Sequence, residues 1–304
     1  MNNKLRNLIR IVIILIGVGI LVYPSVSVFL MHQNSSRVIA SYDDSVNRTR
    51  TERLEALMNE AIEYNKLLVS ATNNDKPPFD ADGNPISLDS YDRMLNLNGD
   101  GMMGYISIPK LNLTARILHG TEESALQVAI GHMKNTSLPV GGNSTHAVLS
   151  GHRGLPTNDL FTDIDRIEIG DKFYIKVLNS TLCYTVDQIV TVLPDETEEL
   201  AIKKGKDYVT LVTCTPYGIN SHRLLVRGVR TEYDEAEGIS VYEPDENESF
   251  WWDNLPVQYR HMMIGLAVII AFLILYLIFR IVKRIIKKRR VGNNEQDTEN
   301  SETN

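Results

Sequence analysis

The sequence predicts a mainly β domain, a barrel or sandwich, preceded by helix and bracketed by apolar segments near both ends. Three observations carry this expectation. From Gly104 onward the chain breaks into short runs rich in β-branched residues and punctuated by Gly and Pro; a charged stretch with apolar residues at helical spacing precedes them; and two long apolar runs lie toward the termini. At 304 residues and 43% hydrophobic content, there is room for one sizeable domain plus accessories.

The first apolar run, Ile11 to Val22, follows Lys4, Arg6 and Arg10 and shows no clear small-x-small cleavage site. It predicts an uncleaved signal anchor over residues 1–31. The second, Met262 to Val282, is long enough to span a bilayer, and Arg280, Lys283, Arg284, Lys287, Lys288, Arg289 and Arg290 follow at once. By the positive-inside rule both ends face the cytoplasm, and residues 32–261 face outward. Trp251-Trp252 ahead of the second run fits an interfacial belt, and residues 283–304 read as a basic then acidic tail whose part from Val291 to Asn304 lacks an apolar face and reads as disordered.

The outward segment carries 21 Lys+Arg against 34 Asp+Glu, a formal charge of 21 − 34 = −13, which disfavours a nucleic-acid partner. Within it, residues 32–70 show apolar positions such as Val38, Tyr42, Val46, Leu54, Leu57, Ile62 and Leu68 at three- and four-residue steps, the signature of one or two amphipathic helices. Residues 71–100 contain Asn73-Asn74-Asp75-Lys76-Pro77-Pro78-Phe79, which cannot continue a helix and reads as loop and linker. Residues 101–232 hold the strands: Tyr105-Ile108, Ala115-Leu118, His146-Ser150, Lys172-Val177, Cys183-Val192, Tyr208-Thr213 and Leu224-Val229. Short helices are expected near Glu122 to Ala129 and Leu160 to Ile167, and residues 233–261 form a juxtamembrane linker.

The chemistry-bearing residues are Cys214, at the end of Thr210-Leu211-Val212-Thr213, Arg223 nine residues on, and His152 in Ser150-Gly151-His152-Arg153-Gly154. Taken singly, each has an ordinary structural reading: core filler, surface arginine, strand cap. Together they are a thiol, an imidazole and a guanidinium, the groups that attack an acyl carbon, move its protons and hold an oxyanion. In a barrel, His152 and Cys214 end strands and Arg223 opens one, so all three can reach one rim. Cys183, in an alternating strand, reads as a packing residue. His119, His132 and His146 do not form a metal-ligand pattern, the acidic run Asp195-Glu196 with Glu198-Glu199 reads as a solvated loop, and nothing calls for a cofactor.

The strings Leu138-Pro139-Val140-Gly141-Gly142, Ser150-Gly151-His152-Arg153-Gly154-Leu155-Pro156 and Thr213-Cys214-Thr215-Pro216-Tyr217-Gly218 closely resemble the sortases, in the class C or pilus-type branch. The resemblance runs from about Gly104 to Arg230. It implies an eight-stranded β-barrel with short helices, an N-terminal helical segment and two membrane helices. It also implies Cys214 as nucleophile, His152 as acid and base, and Arg223 as oxyanion or substrate clamp. The implied reaction is transpeptidation: a Leu-Pro-x-Thr-Gly sorting signal is cut and joined, through a thioester, to a lysine amine of another pilin subunit. Anchoring to cell-wall peptidoglycan and simple cysteine hydrolysis are the alternatives. The loop with Asp75 and Phe79 resembles the lid of class C members, although acid and ring stand farther apart here than in the family; a Pro-rich connector is the other reading.

Overall fold

The computed structural model describes residues 3–72, 88–155 and 158–234, together with Ala267 and Arg280. It divides into two compact units, residues 1–25 with 255–304 and residues 26–254. Helix α1 (Asn3–Arg48) begins in the first unit and ends in the second. Among the described residues one helix is long and apolar enough to cross a membrane, the stretch Val12–Arg48, whose most apolar window has a mean hydropathy of 2.5. Its apolar side chains Ile13, Leu15 and Ile20 are each more than 60% exposed. An unburied apolar run of that length calls for lipid or a partner. The expected second membrane helix, 262–282, lies outside the described residues apart from Ala267 and Arg280, both helical.

In the second unit the pattern of the sequence becomes packing. The end of α1 buries Ile39, Tyr42 and Val46, and α2 (Thr51–Thr72) buries Leu54, Leu57, Ala61, Tyr64 and Leu68, steps of three and four that put each set on one helix face. Glu52 in the first turn of α2 complements its dipole. These faces join the core of the β domain itself. The buried Tyr42 hydroxyl donates to the Met103 carbonyl at 3.1 Å and accepts from Leu178 N–H at 2.8 Å, while the Asn65 amide exchanges both its bonds with the Leu138 backbone.

Eight strands close into a barrel: β1 (Met102–Ile108), β2 (Leu113–His119), β3 (Ile130–His132), β4 (Thr145–Ser150), β5 (Lys172–Val177), β6 (Ser180–Val192), β7 (Asp207–Thr215) and β8 (His222–Thr231). Their order around the barrel is β1-β2-β3-β4-β7-β8-β6-β5, with β5 returning to β1. The β2–β3 and β4–β7 pairs are parallel and the rest antiparallel. Alternation along the strands sends Ala147, Leu149, Val209, Leu211, Leu224 and Val226 into the main core. All of β1 is buried, Ser107 included, so its apolar residues do not alternate with exposed polar ones.

The expected strands are all present, β5 with the expected bounds and the other six extended at one or both ends; β3 is an addition. Its three residues, Ile-Gly-His, are too few to show a period and carry no β-branched run beyond Ile130. The helix expected near Glu122 to Ala129 is α3, reduced to Glu123–Leu126. The one expected at Leu160 to Ile167 is a turn followed by a 3-10 helix, Ile164–Arg166. There Phe161 N–H is drawn to the His152 carbonyl and the Thr162 carbonyl is taken by Arg153, contacts that outcompete a regular helical ladder.

Candidate active site

The site is built at the end of the barrel where β4 and β7 finish and β8 begins. In the antiparallel β7–β8 pair, Cys214 and Arg223 are direct partners. Because β-strand side chains alternate, Cys214 shares its face with Val212 and Thr210, and Arg223 shares the same face with Leu225 and Arg227. The turn between them is fixed by Pro216, whose carbonyl accepts from both Ile219 and Asn220 N–H, with Gly218 and Asn220 at positive φ. Cys214 is half-buried. Arg223 Nη1 donates to the carbonyls of Asn220 and His222 at 3.2 and 3.0 Å, which tethers one end of the planar fork to its own loop.

His152 comes to this pair through the parallel β4–β7 ladder, in which Leu149 faces Leu211 and Ser150 faces Val212. The ladder continues one step further: Gly151 N–H donates to the Val212 carbonyl at 3.0 Å, and Thr213 Oγ1 donates to the Gly151 carbonyl at 2.7 Å. Gly151 has no substitute here, since a Cβ would meet the Phe161 ring at 2.6 Å. His152 Nε2 is shielded from solvent and makes no well-formed hydrogen bond; Glu123 Oε2 of α3 lies 3.4 Å away. Gln127 Nε2 holds the other Glu123 oxygen at 3.0 Å.

A second apolar cluster lies on the face of the sheet that carries Cys214 and Arg223. Val148, Val212 and Leu225 are buried in it, with Met133, Val190, Val192 and Leu200 packed against them. Farther along, Arg227 is held by both Asp187 oxygens at 2.9 Å and stacks over the Tyr208 ring at 4.3 Å. The Asp187 bond raises the Arg227 pKa further. The His146 pKa is pushed down by burial; Nδ1–H donates to the Ala201 carbonyl and Nε2 accepts from Thr210, a single neutral tautomer.

With this geometry in place, comparison with known proteins is informative. A family model described as the sortase domain matches residues 106–231. The crystal structure of sortase C1 from Streptococcus agalactiae is 46% identical, with a TM-score of 0.59, covering 65% of this chain and 100% of that one. The chain belongs to the sortase family. Sortase C of Clostridium perfringens, solved with its C-terminal cell wall sorting motif, is 41% identical with a TM-score of 0.54, covering 65% of this chain and 99% of that one. Among curated relatives, sortase A of Bacillus anthracis is 32% identical over 133 residues, 44% of this chain and 61% of that enzyme. Sortase A of Streptococcus agalactiae is 31% identical over 38% of this chain and 47% of that enzyme, so the chain spans about half to three fifths of these two.

In this sortase, His152, Cys214 and Arg223 of the sequence-based expectation stand at one rim. Asp75 and Phe79 lie outside the described residues. The acidic run after Leu193 is dispersed: Glu196 accepts from Leu193 N–H, and Glu199 accepts from Gln188. Residues the sequence did not single out include Glu123, Gly151, Thr213 and Arg153. Only the position of Gly151 and Arg153 next to His152 hinted at them, because the bonds of Gly151 to Val212 and Thr213 and of Arg153 to Thr215 cross between segments about 60 residues apart. His32 of α1 also contacts the histidine loop, 2.9 Å from Asp159, a meeting of residues 127 apart that no local pattern announces.

Proposed function

We propose that this chain is a membrane-anchored cysteine transpeptidase of the pilin-polymerising type. The observation that carries it is the register pairing of Cys214 with Arg223, with the His152 loop bonded to the strand that bears the thiol. The sheet face of that pair continues into apolar side chains, which suits the Leu-Pro portion of a Leu-Pro-x-Thr-Gly signal with the threonine carbonyl at Cys214.

The Cys214 thiolate then forms an S–C bond to the threonine carbonyl carbon, and the carbonyl oxygen becomes an oxyanion facing the Arg223 fork. Arginine suits this role because it stays charged and presents its donors in a fixed plane. Collapse breaks the Thr–Gly C–N bond as His152 gives a proton to the departing amine. A thioester remains. A lysine amine of a second pilin attacks it, His152 takes the amine proton, and an isopeptide bond forms as the thiolate leaves. Atoms and charge balance without any cofactor. In this reading the N-terminal apolar segment and the segment 262–282 hold the enzyme in the membrane with both ends cytoplasmic, and the sequence around Asp75 and Phe79 is assigned the part of a lid on its resemblance to class C members.

The likeness to class C structures along their whole length favours a pilin lysine over the peptidoglycan amine used in cell-wall anchoring. The test is to mix the full-length protein in detergent with a pilin carrying the signal and a second pilin as acceptor, and read products by mass spectrometry. A Thr-to-Lys isopeptide adduct, lost in Cys214→Ala, is the expected product. Free acid alone would make the protein a hydrolase, and transfer only to peptidoglycan stem peptides would make it a wall-anchoring enzyme.

A further inference from the structure

We propose that Arg153 is the positioning residue that sets His152 against Cys214; this rests on the reading of those two residues as acid-base and nucleophile. The side chain of Arg153 is 8% exposed, and its guanidinium is engaged on every edge. Nε donates to the Thr162 carbonyl at 3.2 Å, Nη1 to Thr215 Oγ1 at 3.3 Å, and Nη2 pairs with the Asp165 carboxylate. One face lies over the Tyr217 ring at 5.8 Å. These partners belong to two different segments: Thr162 and Asp165 to the loop that follows His152, Thr215 and Tyr217 to the strand end and loop that follow Cys214.

The arrangement becomes a frame when the bonds of Gly151 are added. Residue 151 is tied to 212 and 213, residue 153 to 215, so the histidine and the cysteine are each bracketed by cross-links between the same two segments. A slip of His152 along or away from β7 must break one side of the bracket. Gly154, at φ +81°, lets the backbone pass so close to Tyr217 that a Cβ would sit 2.8 Å from its ring, which keeps that ring against the guanidinium. Its N–H also donates to Thr162 Oγ1, closing the loop on itself.

The charge of Arg153 is balanced by Asp165, so its effect is geometric rather than that of a free cation near the imidazole. Among the described residues, the other charged groups placed beside the two are Glu123 of α3, 3.4 Å from His152 Nε2, and Arg223, the β8 partner of Cys214; on the histidine loop, Asp159 is occupied by His32 of α1. Lysine cannot replace arginine in the frame, because a single ammonium on a flexible stem does not reach carbonyl, hydroxyl and carboxylate in one plane. A misplacement of about 1 Å between reacting groups costs on the order of a hundredfold in rate.

The test uses the full-length protein in detergent, with a Leu-Pro-x-Thr-Gly peptide and a lysine-bearing acceptor peptide, and compares wild type with Arg153→Lys, Arg153→Gln, Thr215→Val and the Gln/Val double variant. Arg153→Gln and Arg153→Lys are expected to lower kcat about a hundredfold with KM nearly unchanged. Thr215→Val should lower it less, and the double variant should be no worse than Arg153→Gln. The pH profile of Cys214 alkylation by iodoacetamide should shift toward alkaline pH in both arginine variants, as the imidazole drifts from the thiol; a merely structural residue would lower Tm and leave that profile in place. Losses that multiply in the double variant, or an unmoved alkylation profile, would overturn the proposal. If the arginine variants do not fold, Thr215→Val decides alone by the same profile. Alkylation needs no substrate, so a wild type silent toward the peptide would count against the proposed reaction while Arg153 is still judged.

Discussion

The hydroxyl of Tyr91 sits 2.9 Å from Nδ1 of His132, and the two rings stack at 5.7 Å. Tyr91 lies in the 3-10 helix Leu88–Arg93, which follows the segment 73–87, and His132 is the last residue of β3. The same hydroxyl accepts from Gly120 N–H, and His132 Nε2–H donates to the Ser137 carbonyl. One phenol and one imidazole thus join three parts of the barrel without a charge.

The imidazole is neutral for a reason: complete burial lowers its pKa from 6.5 to about 4. The folded state therefore binds fewer protons than the unfolded chain between those values. Stability from this site is complete above pH 6.5 and is lost as pH falls toward 4, a change of about 3 kcal/mol. His146, also lowered by burial, adds to the same trend. Thermal unfolding followed from pH 7.5 to 4.5 should show a falling Tm, and His132→Gln should flatten the slope while lowering Tm at neutral pH. An unchanged slope would show that the site does not titrate as described.

Tyr42→Phe removes a hydroxyl that bridges β1 and the residue after β5, leaving the Leu178 N–H buried without its acceptor. The expected cost is about 1–3 kcal/mol. Chemical denaturation of the full-length protein measures it. A null result would mean that the end of α1 leans on the barrel without being part of its core.

Arg223→Lys keeps the charge and loses the planar fork. Removal of a preorganised oxyanion donor costs on the order of 10²–10³ in kcat, and that is the loss expected in peptide cleavage, with Tm unchanged. Wild-type turnover would remove Arg223 from the oxyanion role.

If Phe79 covers the nucleophile, Phe79→Ala should speed both alkylation of Cys214 and cleavage of the signal peptide. Equal alkylation rates would reduce the segment to a connector.

The fold was legible in the sequence wherever a local period existed. Alternation in Cys183 to Val192 and the β-branched run before Cys214 located β6 and β7, and the helical spacing of Leu54, Leu57, Tyr64 and Leu68 located α2. It was not legible where three residues made a strand, as in β3. Of the site, Cys214 and Arg223 could be read because a nine-residue hairpin brings them together locally. The approach of His152 depends on parallel pairing of β4 with β7, two strands separated by β5 and β6 in the chain, and a parallel pair leaves no turn signature. The frame around Arg153 and the meeting of His32 with Asp159 are non-local as well, so only the strand-end positions of the three residues and the family resemblance pointed toward the rim.

The chain contains two cysteines, and Cys183 is fully buried, its sulfur accepting from Thr231 Oγ1 at 3.3 Å. A thiol reagent applied to the native protein is therefore expected to read Cys214, one equivalent per folded molecule, with a second equivalent appearing only as the barrel opens. Slow and fast labelling phases in a single experiment separate damage to the nucleophile's surroundings from loss of the fold, with no cysteine needing to be engineered away.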